Sequence, residues 1–139
     1  MVLGHHAREA TMDLDAAIRQ EHGAVITEAA AVARELGLPG WWLNEQATAY
    51  LPTIPDDGAT TVLALPGLTV VAASPRHLLA MKARAARQRD IADIITLARL
   101  VGTETADQVV HLTEQVFRGE ALSERSRAVL ADLDDTLGS

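Results

Sequence analysis

The sequence predicts an α+β fold with a helical C-terminal half. Three observations point there: a short apolar run headed by Asp-x-Asp at 13–18, two β-rich runs joined by Pro66-Gly67, and helix punctuation that recurs from Ser74 to the end. Side chains on a strand alternate between faces. An extended 13–18 therefore sets Asp13 and Asp15 on one face, with Leu14, Ala16 and Ile18 on the other.

The segment from Glu21 to Leu36 carries Val25, Ile26, Ala29, Val32, Ala33 and Leu36 at helical spacing and stops at Gly37. Leu38-Pro39-Gly40 then breaks the chain before Trp41 and Trp42. Both tryptophans are expected to anchor a loop and a short helix, at about 43–50, to the core. Pro52, Pro55, Asp56, Asp57 and Gly58 mark an exposed loop. Thr61–Leu65 and Leu68–Ala73 form a hairpin whose Pro-Gly favours a type II turn, with a bulge or splay because primed turns suit hairpins better.

Ser74-Pro75 is an N-cap followed by proline at the first helical position, which predicts a helix over 75–88. Asp90 is expected to cap the next, over 91–101, which Gly102 closes. Two more helices are expected over 104–117 and 123–136. The stripe of Val109, Val110, Leu112, Val116, Leu122, Val129, Leu130 and Leu133 is core or interface packing. No repeat or linker interrupts the 139 residues, so they read as one domain with a sheet-containing part, 1–73, and a helical part, 74–139.

Cysteine is absent, which excludes disulfides, thiolate nucleophiles and zinc–sulfur sites. The apolar runs are too short to span a bilayer, and the N-terminus meets His5, His6 and Arg8 too early for a signal peptide. The expected location is cytoplasmic, with no membrane partner. Net charge is −7, which opposes indiscriminate coating of nucleic acid. Yet Arg76, Lys82, Arg84, Arg87 and Arg89 place five of the twelve positive charges within fourteen residues, without an acid among them. That patch either meets polyphosphate or RNA, or is a solvated helix face. The histidines are scattered, and Ser74 has no histidine and acid at a spacing that would suggest a triad.

Two carboxylates on one strand face repel each other unless a cation lies between them. Hard oxygen ligands of this kind suit Mg²⁺ beside phosphate oxygens. Asp13 and Asp15 are thus either a metal-binding pair or a turn or solvated strand end. Lys82 sits at the edge of an apolar stripe made by Leu78, Leu79, Met81, Ala85 and Ala86. From there it can bury its stem and present its ammonium into a cleft, or simply lie on the surface. Asp90 and Asp93 share a helix face. They supply either a further carboxylate for a metal site or only capping and dipole stabilisation.

Taken together, three motifs resemble the minimal nucleotidyltransferase superfamily, in its bacterial abortive-infection and type IV toxin–antitoxin branch. They are Arg8-x-x-Thr11-x-Asp13-h-Asp15, the central Trp42-Leu43-Asn44, and Leu78-Leu79-x-x-Lys82-x-x-Ala85-x-Arg87-x-x-Asp90-x-x-Asp93. The resemblance covers residues 7–101. It implies a small mixed sheet packed on helices, and Mg²⁺-dependent transfer of a nucleotidyl group from an NTP to an acceptor, tRNA in toxin members. It further implies catalytic roles for Asp13, Asp15, Lys82 and Asp90, metal ligation by Asp13, Asp15 and Asp93, and nucleotide contacts from Arg8, Thr11, Lys82 and Arg87. One departure stands out. The family places Gly-Gly or Gly-Ser at a helix start ahead of the Asp-x-Asp strand, where backbone amides hold phosphates. Here only Met1–Met12 precede Asp13, and Gly4-His5 does not match. The reading is either a truncated start or a natural variant. Beside the transferase, the alternative reading is a catalytically silent module of the same fold that works through a partner, such as an antitoxin or a second copy of itself.

Overall fold

The computed structural model describes residues 14–45 and 51–139. Among them are six α-helices and two small sheets, with the C-terminal half helical, so the class is α+β. The chain divides into two compact units, Met1–Leu51 and Pro52–Ser139. The boundary falls before the hairpin, which therefore belongs with the helices and not with the N-terminal strands.

In the first unit, β1 (Leu14–Asp15) runs parallel to β2 (Leu43–Asn44), with Leu14 opposite Leu43 and Asp15 opposite Asn44. Leu14 N–H donates to the Trp42 carbonyl at 2.6 Å, and Ala16 N–H to that of Asn44 at 2.8 Å. A parallel pair needs a long crossover, and α1 (His22–Leu36) supplies it. Gly37, at φ 67°, stops α1 in the left-handed region and returns its N–H to Ala33. The Trp42 indole donates to the Ala29 carbonyl at 2.9 Å, which ties β2 to α1.

Three expectations for this unit are corrected. The first strand ends at Asp15 and does not reach Ile18, because the ladder with β2 closes at Asn44. Leu43-Asn44 is a strand where a helix was expected, since pairing with β1 overrides local preference; the rest of that expected helix, 46–50, lies outside the described residues. Only Trp42 anchors, because Trp41 is 62% exposed.

In the second unit, β3 (Thr60–Leu65) and β4 (Leu68–Ala72) form the expected hairpin, with Gly67 at φ 82° in the turn. Thr61 pairs with Val71 and Leu63 with Val70, so Val62 is the extra residue of a bulge. The chain then enters α2 (Pro75–Ala85). Leu79, Ala80 and Ala83 of α2 are wholly buried among Ile94 and Ala98 of α3 (Ile91–Val101) and Val109 and Val116 of α4 (Ala106–Val116). Small alanine side chains let these helices approach closely. Leu130 of α5 (Glu124–Asp132) and Leu137 of α6 (Asp134–Leu137) complete the core.

Two helix boundaries differ from expectation. The helix expected over 123–136 breaks at Leu133, and this turns the Asp134 carboxylate onto the start of α4, where it accepts from Ala106 N–H at 2.6 Å. Helix α2 stops before 88 because Ala86 adopts a left-handed conformation, φ 44°. Helix α5 holds that end. Arg125 donates to the carbonyls of Ala85 and Ala86, and Ser126 Oγ to that of Arg84 at 3.0 Å.

The start of α2 is the expected cap, with Ser74 Oγ accepting from His77 N–H at 3.2 Å. Ser74→Ala is expected to destabilise this unit by about 1 kcal/mol, the usual loss for an N-cap hydroxyl. A lowered urea midpoint with an unchanged slope would verify it.

Candidate functional site

The segment richest in candidate chemistry folds back on itself. Between α2 and α3 the chain passes through Arg87 and a 3-10 turn, Gln88–Asp90, which carries Asp90 alongside Lys82. Lys82 Nζ lies 3.2 Å from Asp90 Oδ1 and 3.2 Å from Asp93 Oδ2. Arg87 approaches the same carboxylate of Asp90. Its Nε donates to Oδ2 at 2.8 Å, its backbone N–H to Oδ2 at 3.0 Å, and Nη2 lies 3.4 Å from Oδ1. Lys82, Arg87, Asp90 and Asp93 thus form one cluster.

Burial divides the cluster into an inner and an outer part. The Asp90 side chain is 0% exposed, whereas those of Lys82, Arg87 and Asp93 are 23%, 31% and 17% exposed. Asp90 holds the N-cap position of α3, as expected, but its side chain makes no capping hydrogen bond to that helix. Its backbone is already helical, and its carboxylate turns back to close a capping box with Arg87. Burial alone would push the Asp90 carboxyl up. Hydrogen bonds from the Arg87 side chain and backbone, with the charges of Lys82 and Arg87, outweigh this and hold it below the ordinary carboxylate value.

Lys82 is the only lysine in the chain; the other eleven of its twelve basic residues are arginines. The difference is chemical. An ammonium is compact and carries three donors, whereas a guanidinium is a planar fork. Two donors of Lys82 face Asp90 and Asp93, which leaves one for an external acceptor. The surrounding basic run is not a bare positive patch. Arg76 donates to Gln115 Oε1 at 3.2 Å, and Arg84 pairs with Glu120 at 2.7 Å while lying over the Phe117 ring.

A second group lies in the loop ahead of β3. Asp56 is half-buried, and its Oδ2 accepts from Ser74 N–H at 2.8 Å. His77 Nδ1 is 3.8 Å from the same oxygen, beyond hydrogen-bond reach. Ser74, His77 and Asp56 do come together, but the serine hydroxyl serves as the helix cap, so they act as a clip and not as a triad. Burial raises the Asp56 carboxyl, and the hydrogen bonds of Ser74, the His77 charge and Gly58 N–H bring it net below its ordinary value.

The pH dependence follows in sign. Both Asp56 and Asp90 have folded values depressed below 3.8, so each contributes stability above that pH and loses it as pH falls through the folded value. Urea midpoints should therefore hold from neutrality down to the ordinary carboxylate range and drop below it. Asp90→Asn should flatten that drop.

Of the remaining candidate residues, Asp15 stands in β1 opposite Asn44, on the same face of the ladder. This sets two of the three motif segments on adjacent strands. Arg8, Thr11 and Asp13 lie outside the described residues, as do His5 and His6. Among the described residues no three or more His, Asp or Glu side chains are grouped to hold a metal. The donors at Asp15 and Asn44 are oxygens, the type Mg²⁺ takes. Also among the described residues, no helix is long and apolar enough to cross a membrane.

Sequence reasoning missed Arg125 and Ser126, which close α2, and the role of Asp56. All act over long separations, where local patterns carry no signal. The uniqueness of Lys82, by contrast, can be counted directly in the sequence. No family model, no curated protein and no solved structure matches this chain.

Proposed function

We propose that this chain is a nucleotidyltransferase-like protein of a bacterial toxin–antitoxin or defence system. It transfers a nucleotidyl group from an NTP to an acceptor such as tRNA, with Mg²⁺ as cofactor. The observation that carries the reading is the cluster around Lys82: a sole lysine, half-buried, held by two carboxylates and retaining one donor for a phosphate oxygen. The pairing of Asp15 with Asn44 supports it, since both belong to the motifs of the resemblance. Asp13 and Asp15 are the proposed ligands of the ion, which would supply charge neutralisation at the transferred phosphate. Lys82 binds the triphosphate, and Arg87 flanks it.

The test is transfer of label from each NTP to bulk tRNA in the presence of Mg²⁺. Label is expected to move with the parent protein and not with Asp13→Ala/Asp15→Ala. Transfer that survives the double substitution excludes these carboxylates as the catalytic pair.

A second reading is a catalytically silent module that acts through protein contacts. The hairpin favours it. Val62, Leu63, Leu65, Leu68 and Val71 are exposed, and no charged residue lies between Asp57 and Arg76. Calorimetric titration separates the two readings, because a silent module gives no Mg²⁺-dependent heat with any NTP.

A further inference from the structure

We infer that Asp90 is a positioning residue: buried beneath the cluster, it fixes the Lys82 ammonium and the Arg87 guanidinium where a triphosphate would meet them, without touching nucleotide or metal itself. The inference rests on the proposed reading and changes the role of Asp90 within it.

Three observations carry it. First, the Asp90 side chain has no exposed surface, so no ligand reaches it in this arrangement. Second, its oxygens are occupied. Oδ2 accepts both Arg87 N–H and Arg87 Nε–H, while Oδ1 faces Lys82 Nζ and Arg87 Nη2. Third, the partly exposed members of the group are the ones Asp90 holds, together with Asp93. A buried anion gripping two cations restricts long side chains that would otherwise sample many rotamers. That restriction lowers the entropy lost when a phosphate binds.

The sole lysine makes the test direct. With ¹⁵N-lysine labelling, the protein has one side-chain nitrogen signal and needs no assignment. In mildly acidic buffer at low temperature, a held ammonium exchanges slowly enough to give a cross-peak and a through-hydrogen-bond coupling to the Asp90 carboxyl carbon. Both are expected in the parent protein. Asp90→Asn should abolish the cross-peak, whereas Asp93→Asn should keep it. A parent spectrum without the coupling overturns the inference, even if Asp90→Asn fails to fold; so does a cross-peak that persists in a folded Asp90→Asn.

Nucleotide binding is the second arm, with Mg·ATP as the probe. Asp90→Asn should weaken binding about tenfold, the loss of one charge-assisted hydrogen bond. In a Lys82→Met/Arg87→Met background the same substitution should change binding by less than about twofold, because a group acting through others has no effect once they are gone. An undiminished effect in that background identifies Asp90 as a direct contact and overturns the inference. Absence of Mg·ATP binding by the parent overturns the transferase reading instead, while the ammonium signal still decides whether Asp90 holds Lys82.

Discussion

Asp90→Ala is expected to destabilise the Pro52–Ser139 unit by about 3 kcal/mol, the scale for breaking a buried ion pair by removing one partner. The substitution deletes a fully buried carboxylate and takes one acceptor from each of Arg87 N–H, Arg87 Nε and Lys82 Nζ, the last of which keeps Asp93. Two facts keep the loss from being larger. Lys82 and Arg87 are partly exposed, so water can solvate their charges once the carboxylate is gone. The methyl group of alanine also leaves room for a water to replace one acceptor. Asp90→Asn, which keeps an acceptor oxygen and the volume, should lose about half as much. Chemical denaturation followed by circular dichroism measures both, and equal losses for the two variants would show that the charge, which both remove, and not the acceptor oxygen carries the stabilisation.

Leu79→Ala is expected to have the greater effect on stability, about 4 kcal/mol, near the upper end for a buried leucine. Leu79 is fully buried at the centre of the core. What sets the magnitude is its surroundings. The neighbouring core positions on α2 and α3 include Ala80, Ala83 and Ala98, which have no flexible chain to swing into a void. A cavity that cannot collapse retains its full penalty. A loss of this size is a large part of the whole, given that domains have only about 5–15 kcal/mol. Leu100→Ala, at a position 45% exposed, serves as the control and should shift stability by less than about 0.5 kcal/mol. Thermal melts that rank the two variants in the opposite order would refute the assignment of the core.

Much of this fold was legible in the sequence because its punctuation is strong. Ser74-Pro75 set the start of α2, Gly102 the end of α3 and Gly37 the end of α1, each through a local conformational demand. The hairpin was marked by the Pro-Gly turn between two β-rich runs, whereas its bulge sits away from that turn, at Val62. What could not be read was whatever depends on distant partners. The strand at Leu43-Asn44 exists through its pairing with β1, and α2 ends at Ala86 because of Arg125, some forty residues on. The candidate site divides in the same way. The spacing of Asp90 and Asp93 set those two on one helix face, but the sharp turn through Ala86 and Arg87 that brings Lys82 to them has no local signal. That Asp90 would face inward was not legible either, because an aspartate ahead of a helix reads first as its cap.

The grip of α5 on the carbonyl end of α2 makes the last part of the chain a remote determinant of the lysine's surroundings. Trimming the protein before Arg125 would unseat the stop at Ala86 and let the preceding helix run on. The loop bearing Arg87 and Asp90 would then lose its register, although every residue of the cluster remained in the polypeptide. Shortened versions for biochemical work should therefore keep the C-terminal helices even where those helices contribute no chemistry of their own.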